Sequence, residues 1–80
     1  MKLPRNISGQ ELIKSLQKLG YTISRQKGSH VRLTTTSNGV HHITVPDHNP
    51  IKIGTLSSIV SEVAIHFKQT KEEIAEKLFG

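Results

Sequence analysis

The stretch YTISRQKGSHVRLTTTSNGVHHITV, residues 21–45, decides the fold because apolar and polar residues alternate along it. The alternating apolar residues are Tyr21 and Ile23, Val31 and Leu33, and Ile43 and Val45. Such alternation over short runs is typical of half-buried β-strands. Gly28 and Gly39 separate the runs, and glycine adopts the left-handed conformation of tight turns without steric cost. The stretch therefore predicts three antiparallel strands joined by two hairpins.

The period of two in this stretch also predicts which residues face each other. The expected loops are Gln26-Lys27-Gly28 and Ser37-Asn38-Gly39. The expected pairs are Tyr21 with Leu33, Ile23 with Val31, Leu33 with Ile43, and Val31 with Val45. In this register the apolar residues face a core, and the polar residues between them face away from it, on what we call the open face. The residues expected there are Thr22, Ser24, His30, Arg32, His42 and Thr44, with Ser24 opposite His30 and Arg32 opposite Thr44.

Helical patterns flank the strands on both sides. Ser8 and Glu11 form a capping-box pattern before apolar residues at helical spacing, and Thr70 and Glu73 repeat that pattern near the C-terminus. Between them, a second helix is expected to begin near Gly54-Thr55, with Thr55 as its cap. The predicted fold is α+β, of order α-β-β-β-α. We expect a three-stranded antiparallel sheet with helices on one face, and a short C-terminal helix.

Length and composition predict a single small domain over residues 1–80. A chain of this size has a small core and no room for a large enclosed substrate cavity. The absence of cysteine excludes disulfides, thiolate zinc sites and a cysteine nucleophile. No apolar run is long enough for a signal peptide or a membrane span. We therefore expect a cytoplasmic protein without a membrane partner.

The positive charge is concentrated in the first half of the chain. Eleven Lys and Arg residues against six Asp and Glu give a formal net charge of +5. Between Leu12 and Pro46 the sequence has basic residues and no acidic one. Charge of one sign over one region favours a polyanionic partner, with nucleic acid as the first candidate. The alternative is a solvated basic surface that serves solubility.

Three motifs resemble a known family. The sequence SGQELIKSLQKLGYTISRQKGSHVRL, followed by HHITVPDH and KIGTLSSIV, is similar to the HicA toxins of bacterial toxin-antitoxin pairs, also described as YcfA-like. The resemblance covers about residues 7–65, and residues 66–80 are an extension that we expect to be helical. Its most specific pieces are Arg25-Gln26-Lys27-Gly28-Ser29-His30, Val45-Pro46-Asp47-His48 and Gly54-Thr55-Leu56.

This resemblance implies a fold, an activity and a partner. The fold is like that of double-stranded-RNA-binding domains, the activity is endonucleolytic cleavage of mRNA, and the partner is a HicB antitoxin. The resemblance carries one catalytic residue onto this chain, His30 of the Gly-Ser-His motif. Val31 stands where many relatives have a histidine or an aromatic residue. The lysine cluster that opens the second helix of duplex-RNA binders is missing, which favours single-stranded RNA as substrate.

The chemistry of RNA cleavage fits these residue types. The 2′-hydroxyl of RNA is a built-in nucleophile, so cleavage requires proton transfer and charge neutralisation at phosphorus. Histidine suits the proton transfer because its ordinary pKa is about 6.5. We expect His30 to act as general base or acid, and His48 is either a second proton-transfer group or a loop-packing residue. The residues expected to bind RNA phosphate are Lys27, Arg32, Ser29, Ser24 and Arg25.

No metal ion or other cofactor is expected. A two-metal nuclease requires clustered carboxylates, whereas Asp47 is the single acidic residue between Leu12 and Ser61. His41 and His42 are adjacent in a predicted strand and should point to opposite faces. Two other functions remain open at this point. One is a non-catalytic RNA-binding module, and the other is a basic protein-binding partner without nuclease activity.

Overall fold

The computed structural model describes residues 3–80, which form an α+β fold of three helices and three strands. The elements in chain order are α1 (Gly9–Lys18), β1 (Thr22–Lys27), β2 (His30–Thr35), β3 (His41–Pro46), α2 (Ile53–Phe67) and α3 (Lys71–Phe79). The strands form one antiparallel sheet in the order β1-β2-β3. This architecture confirms the predicted fold class.

Both predicted capping boxes are present. The Ser8 hydroxyl accepts a hydrogen bond from the Glu11 backbone N–H, and the Glu11 carboxylate accepts one from the Ser8 N–H, both at 3.1 Å. Thr70 and Glu73 repeat the arrangement at the start of α3. The hydrogen bonds from Thr70 hold the pKa of the Glu73 carboxyl below its ordinary value. Each box satisfies backbone donors that a helix start leaves without partners.

α2 begins close to the predicted position, but its predicted cap is wrong by three residues. The helix begins at Ile53, its N-cap is Lys52, and no side chain caps it. Thr55 therefore lies inside the first turn, where it cannot act as the cap. The helix is stabilised by packing instead, since Leu56, Val60 and its other inward residues are buried.

One hydrophobic core joins the helices to one face of the sheet. The sheet contributes Val31, Leu33, Ile43 and Val45, and the helices contribute Leu12, Ile13, Leu16, Leu56, Ile59, Val60, Val63, Ala64, Ile74 and Leu78. Burying a side chain of this size stabilises the fold by about 1.5–3 kcal/mol relative to leaving it exposed. The opposite face of the sheet is left open. Within the described residues, no helix has the length and apolarity that a membrane crossing requires.

The register between β2 and β3 is as predicted. Val31 pairs with Val45, and Leu33 pairs with Ile43, on the core side. The connecting loop has Asn38 and Gly39 at φ values of 59° and 98°. These positive values explain why an Asn-Gly pair stands there.

The predicted register between β1 and β2 is wrong. Ile23 pairs with Leu33 instead of Val31, and the first hairpin turns through only two residues, Gly28 and Ser29. Gly28 has a φ of 58°, as the first central position of a type II′ turn requires. Ile23 is 50% exposed and is not part of the core. Because β1 is an edge strand with every residue exposed, burial does not impose the alternating register on it.

A β-bulge between Ile23 and Arg25 reverses the alternation in the second half of β1. Arg25 pairs with Arg32, and Lys27 pairs with His30, so both cations of β1 share the open face with their partners. Ser24 does not lie opposite His30 as predicted. The bulge brings two positive charges onto the open face that strict alternation would have turned toward the core side.

Candidate nucleic-acid interface

The open face consists of three rows of neighbouring side chains across the strands. The first row is Lys27, His30 and Pro46, the second is Arg25, Arg32 and Thr44, and the third is Thr22, Thr34 and His42, with the Ser24 hydroxyl bonded to that of Thr34. Directly opposed side chains in such a sheet have Cβ atoms about 4.5–5.5 Å apart. Six of the seven residues that the sequence singles out lie on or beside these rows.

His30 occupies the first position of β2, directly after the Gly28-Ser29 turn. Its side chain is exposed, and Lys27 is its partner on β1. Among residues 3–80, the histidines that form hydrogen bonds are His41, His42 and His66. The imidazole of His30 is therefore exposed and forms no hydrogen bond with the described residues, and its cross-strand partner is a lysine. A general acid or base must likewise be accessible to the group with which it exchanges a proton.

The second row contains two arginines at directly paired positions. Arg25 and Arg32 are direct partners across β1 and β2, on the same face as His30. Like charges at opposed positions of a sheet are destabilising, so this pair opposes folding unless an anion lies between its members. Arginine is also the side chain best suited to bind phosphate oxygens, because its donors form a planar fork. The second row thus places two positive charges on the face that carries His30.

A hydrogen-bonded chain closes the far end of the open face. The Ser24 hydroxyl donates to the Arg32 carbonyl at 3.2 Å and shares a hydrogen bond with the Thr34 hydroxyl at 2.8 Å. Thr34 in turn bonds Nδ1 of His42 at 2.8 Å. Ser24 is therefore bonded to residues of the second and third rows and does not lie opposite His30, contrary to the predicted register. Its role toward phosphate stays a prediction.

The loop after β3 is held against the first hairpin. The Asp47 N–H donates to the Ser29 carbonyl at 2.6 Å, and the Gly9 N–H donates to the His48 carbonyl at 2.8 Å. A side chain at Gly9 would collide with the Pro46 carbonyl oxygen, which explains the glycine there. His48 is exposed and lies two residues beyond Pro46, the β3 partner of His30. The structure thus brings Ser29 and the His48 loop to the His30 end of the sheet.

Away from these rows, His41, His66 and Tyr21 form a cluster that we call the histidine corner. The two imidazoles are stacked, with centroids 4.6 Å apart and an interplanar angle of 13°. Nδ1 of His41 shares a hydrogen bond of 2.7 Å with the Tyr21 hydroxyl, and Nε2 of His66 donates to the Ser37 carbonyl at 2.8 Å. The corner ties the end of α2 to the loop between β2 and β3. Sequence patterns do not indicate it, because its members are 20 to 45 positions apart in the chain.

Burial shifts the pKa values of two groups in this corner. Desolvation lowers the pKa of His41, and the neighbouring His66 lowers it further. Burial, with the charge of Glu62, raises the pKa of Tyr21 to about 12. Both groups are therefore held in their neutral forms at neutral pH. His41 and His42 bond to groups on opposite faces of the sheet, as predicted.

A comparison with protein-family models matches the chain to the model described as the HicA toxin of bacterial toxin-antitoxin systems. The match covers residues 9–71, more than three quarters of the chain, and includes all seven candidate site residues. Searches of the curated proteins and of the solved structures returned no match.

Proposed function

The chain belongs to the HicA toxin family of bacterial toxin-antitoxin systems, and from this premise we propose that it is an endoribonuclease that cleaves RNA without a metal ion. The observation that carries the proposal is the exposed imidazole of His30 beside Lys27 and next to the Arg25–Arg32 pair. A toxin of this family needs a site that attacks an essential polymer. It joins an exposed imidazole to three cationic residues on one face of the sheet.

His30 supplies the proton transfer. It removes the proton from the 2′-hydroxyl as that oxygen attacks phosphorus, or it protonates the 5′-oxygen as the P–O bond breaks. A positioned acid or base of this kind accelerates a reaction by about 10²- to 10⁴-fold. His48 is the candidate for the complementary proton step, because its loop is bonded to Ser29 beside His30.

The cations bind the phosphodiester and neutralise the charge that develops on its oxygens. Arg25 and Arg32 hold one phosphate across the second row, and Lys27 contacts the phosphate nearest His30. The Ser29 and Ser24 hydroxyls provide further hydrogen-bond donors. Fixed charges placed where negative charge grows are usually the largest contribution to such catalysis.

We propose single-stranded RNA as the substrate, because residues 54–58 in the second helix lack the lysine cluster that opens this helix in duplex-RNA binders. The chain has three aromatic residues, of which Tyr21 is buried and Phe67 and Phe79 pack against the core. The open face therefore lacks a stacking platform of the kind that general single-strand binders use. Binding there depends on phosphate contacts, which are strongly weakened by salt.

A HicB antitoxin neutralises the toxin by covering the open face. An acidic antitoxin surface placed over Lys27, His30 and Arg32 would exclude RNA and would associate quickly through complementary charge. In the complex, His30 should be protected from chemical modification. A complex in which His30 stays accessible would rule out occlusion.

The proposal is tested by RNA cleavage with purified protein in excess chelator. We expect single-stranded RNA to be cut, and added divalent ions to be unnecessary. Cleavage that requires a divalent ion would contradict the metal-free mechanism. RNA binding without any cleavage would identify a non-catalytic RNA-binding module. Absence of RNA binding, together with antitoxin binding, would identify a protein-binding partner.

A further inference from the structure

A groove lies between the outer edge of β3 and the first two thirds of α2, directly beside the open face. Its volume is about 560 Å³, within the range of about 300–1,000 Å³ that is typical of small-molecule sites. The lining residues are His42, Ile43 and Thr44 from β3 and Gly54, Thr55, Ser58, Ile59 and Glu62 from α2. His42 and Thr44 also belong to the open face, so the groove continues the surface on which RNA is proposed to lie.

The groove differs from the open face in its charge. Its lining contains one carboxylate, Glu62, and neither a lysine nor an arginine. A phosphate is therefore disfavoured in the groove and favoured on Arg32, the direct partner of Thr44. A strand that places its phosphate in the second row of the open face would place an adjoining base toward the groove. Resting on the proposed function, this juxtaposition leads us to propose that the groove binds one unpaired nucleobase, guanine, next to the phosphate site.

The choice of guanine follows from the groups that line the groove. An ionised carboxylate only accepts hydrogen bonds, and it offers two oxygens. Guanine is the standard base with two adjacent N–H donors on its Watson–Crick edge, at N1 and N2, so the two groups match. Hydroxyls of Thr55 and Ser58 can bond the remaining polar atoms, and Ile43 and Ile59 provide apolar walls. Unpaired bases are commonly read on this edge by proteins that bind single-stranded RNA.

Gly54 leaves the groove open on the helix side. A Cβ atom at this position would meet no atom within 4 Å beyond its own chain neighbours and helical turn. Core packing therefore does not require a glycine there. The position offers a way to fill the groove without disturbing the fold, since helix interiors generally prefer other residues to glycine.

The test measures base preference in binding, independently of cleavage. His30→Ala protein, which should not cut, is titrated with short oligouridines that carry one central guanosine, inosine or adenosine. Inosine lacks the N2 amino group, so the expected order of affinity is guanosine, then inosine, then adenosine. We expect guanosine to be preferred over adenosine by about tenfold, at the low end of what a bidentate base contact provides.

Two groove variants and one control assign the preference to the groove. Glu62→Gln should abolish the preference for guanosine over inosine and adenosine, and Gly54→Gln should weaken it by filling the space. Glu76→Gln removes an exposed carboxylate on α3 and should keep the preference. Equal affinity for all three oligonucleotides, or a preference that Glu62→Gln leaves intact, would overturn the proposal.

The outcomes separate this inference from the proposed nuclease activity. If the wild-type chain cuts RNA but shows no Glu62-dependent preference, the groove does not bind a base. If the preference depends on Glu62 and the wild-type chain never cuts, the base site stands and the nuclease proposal fails. If the groove variants weaken antitoxin binding and no base preference exists, the groove is a protein contact, and the inference is wrong.

Discussion

The open face and the histidine corner use the imidazole side chain in opposite ways. His30 stands on the open face, exposed, with cations as neighbours and no hydrogen bond to the other described residues. In the histidine corner, His41 and His66 stack on each other and bond to Tyr21 and Ser37. An imidazole that is already bonded contributes to stability, whereas an uncommitted imidazole is free to exchange a proton with a substrate.

The comparison predicts its largest effect at His30. His30→Ala should lower the rate of RNA cleavage by about 10²- to 10⁴-fold, because the acid-base group is lost. The free energy of unfolding should change by less than about 0.5 kcal/mol, since the residue is exposed and unbonded. Single-turnover cleavage and denaturant unfolding of the same preparation check both statements. A large loss of stability would show that His30 is structural, and the contrast with the corner would disappear.

Tyr21→Phe should produce the reverse pattern. The phenyl ring keeps its buried position, but the hydrogen bond to Nδ1 of His41 is lost. The free energy of unfolding should fall by about 0.5–1.5 kcal/mol, as is typical for one such bond. The rate of RNA cleavage should stay unchanged when measured well below the unfolding midpoint. Impaired cleavage at unchanged stability would assign a functional role to the corner.

The corner should also make stability depend on pH. The pKa of His41 is lowered in the folded state, so the unfolded chain binds more protons and stability is lost as the pH falls through about 6.5. Burial, His66 and His42 favour the neutral form of His41, whereas the Glu62 carboxylate opposes them. His41→Gln should flatten the decline of the unfolding midpoint between neutral and mildly acidic pH. An equally steep decline in this variant would assign the proton uptake to another group.

The smallest predicted effect concerns the salt dependence of RNA binding. Lys27→Gln removes one cation next to His30. The slope of log affinity against log salt concentration should become shallower by about 0.7, the value for one phosphate contact of a single strand. Lys77→Gln, on α3, is the matched control and should leave the slope unchanged. Equal slopes for wild type and Lys27→Gln would place RNA away from the first row.

Local signals predicted the fold where they agreed with burial. Both capping boxes form, and the register of β2 and β3 is correct because their apolar residues face a shared core on both sides of the hairpin. The register of β1 is different because Ile23 is half-exposed on an edge strand, so burial does not specify its pairing. Gly28 fits a two-residue turn as well as a three-residue loop. The assumption that apolar and polar residues alternate strictly along β1 therefore predicted the wrong hairpin.

Because the predicted register of β1 was wrong, part of the candidate site was not predicted either. The exposed position of His30 on the open face follows from β2 alone and was predictable. The pairing of Arg25 with Arg32 and of Lys27 with His30 follows from the bulge, for which the sequence of β1 has no distinctive signal. The histidine corner depends on tertiary packing between α2 and the sheet, which local periodicity does not report.

The central claim is that RNA supplies its own nucleophile and that the open face supplies only proton transfer and positive charge. The most direct test is to identify the ends of RNA fragments that the wild-type chain produces in excess chelator, by mass spectrometry. Attack by the 2′-hydroxyl should leave 2′,3′-cyclic phosphate on one fragment and a 5′-hydroxyl on the other. Fragments with 3′-hydroxyl and 5′-phosphate ends would contradict the claim, because water would then be the nucleophile.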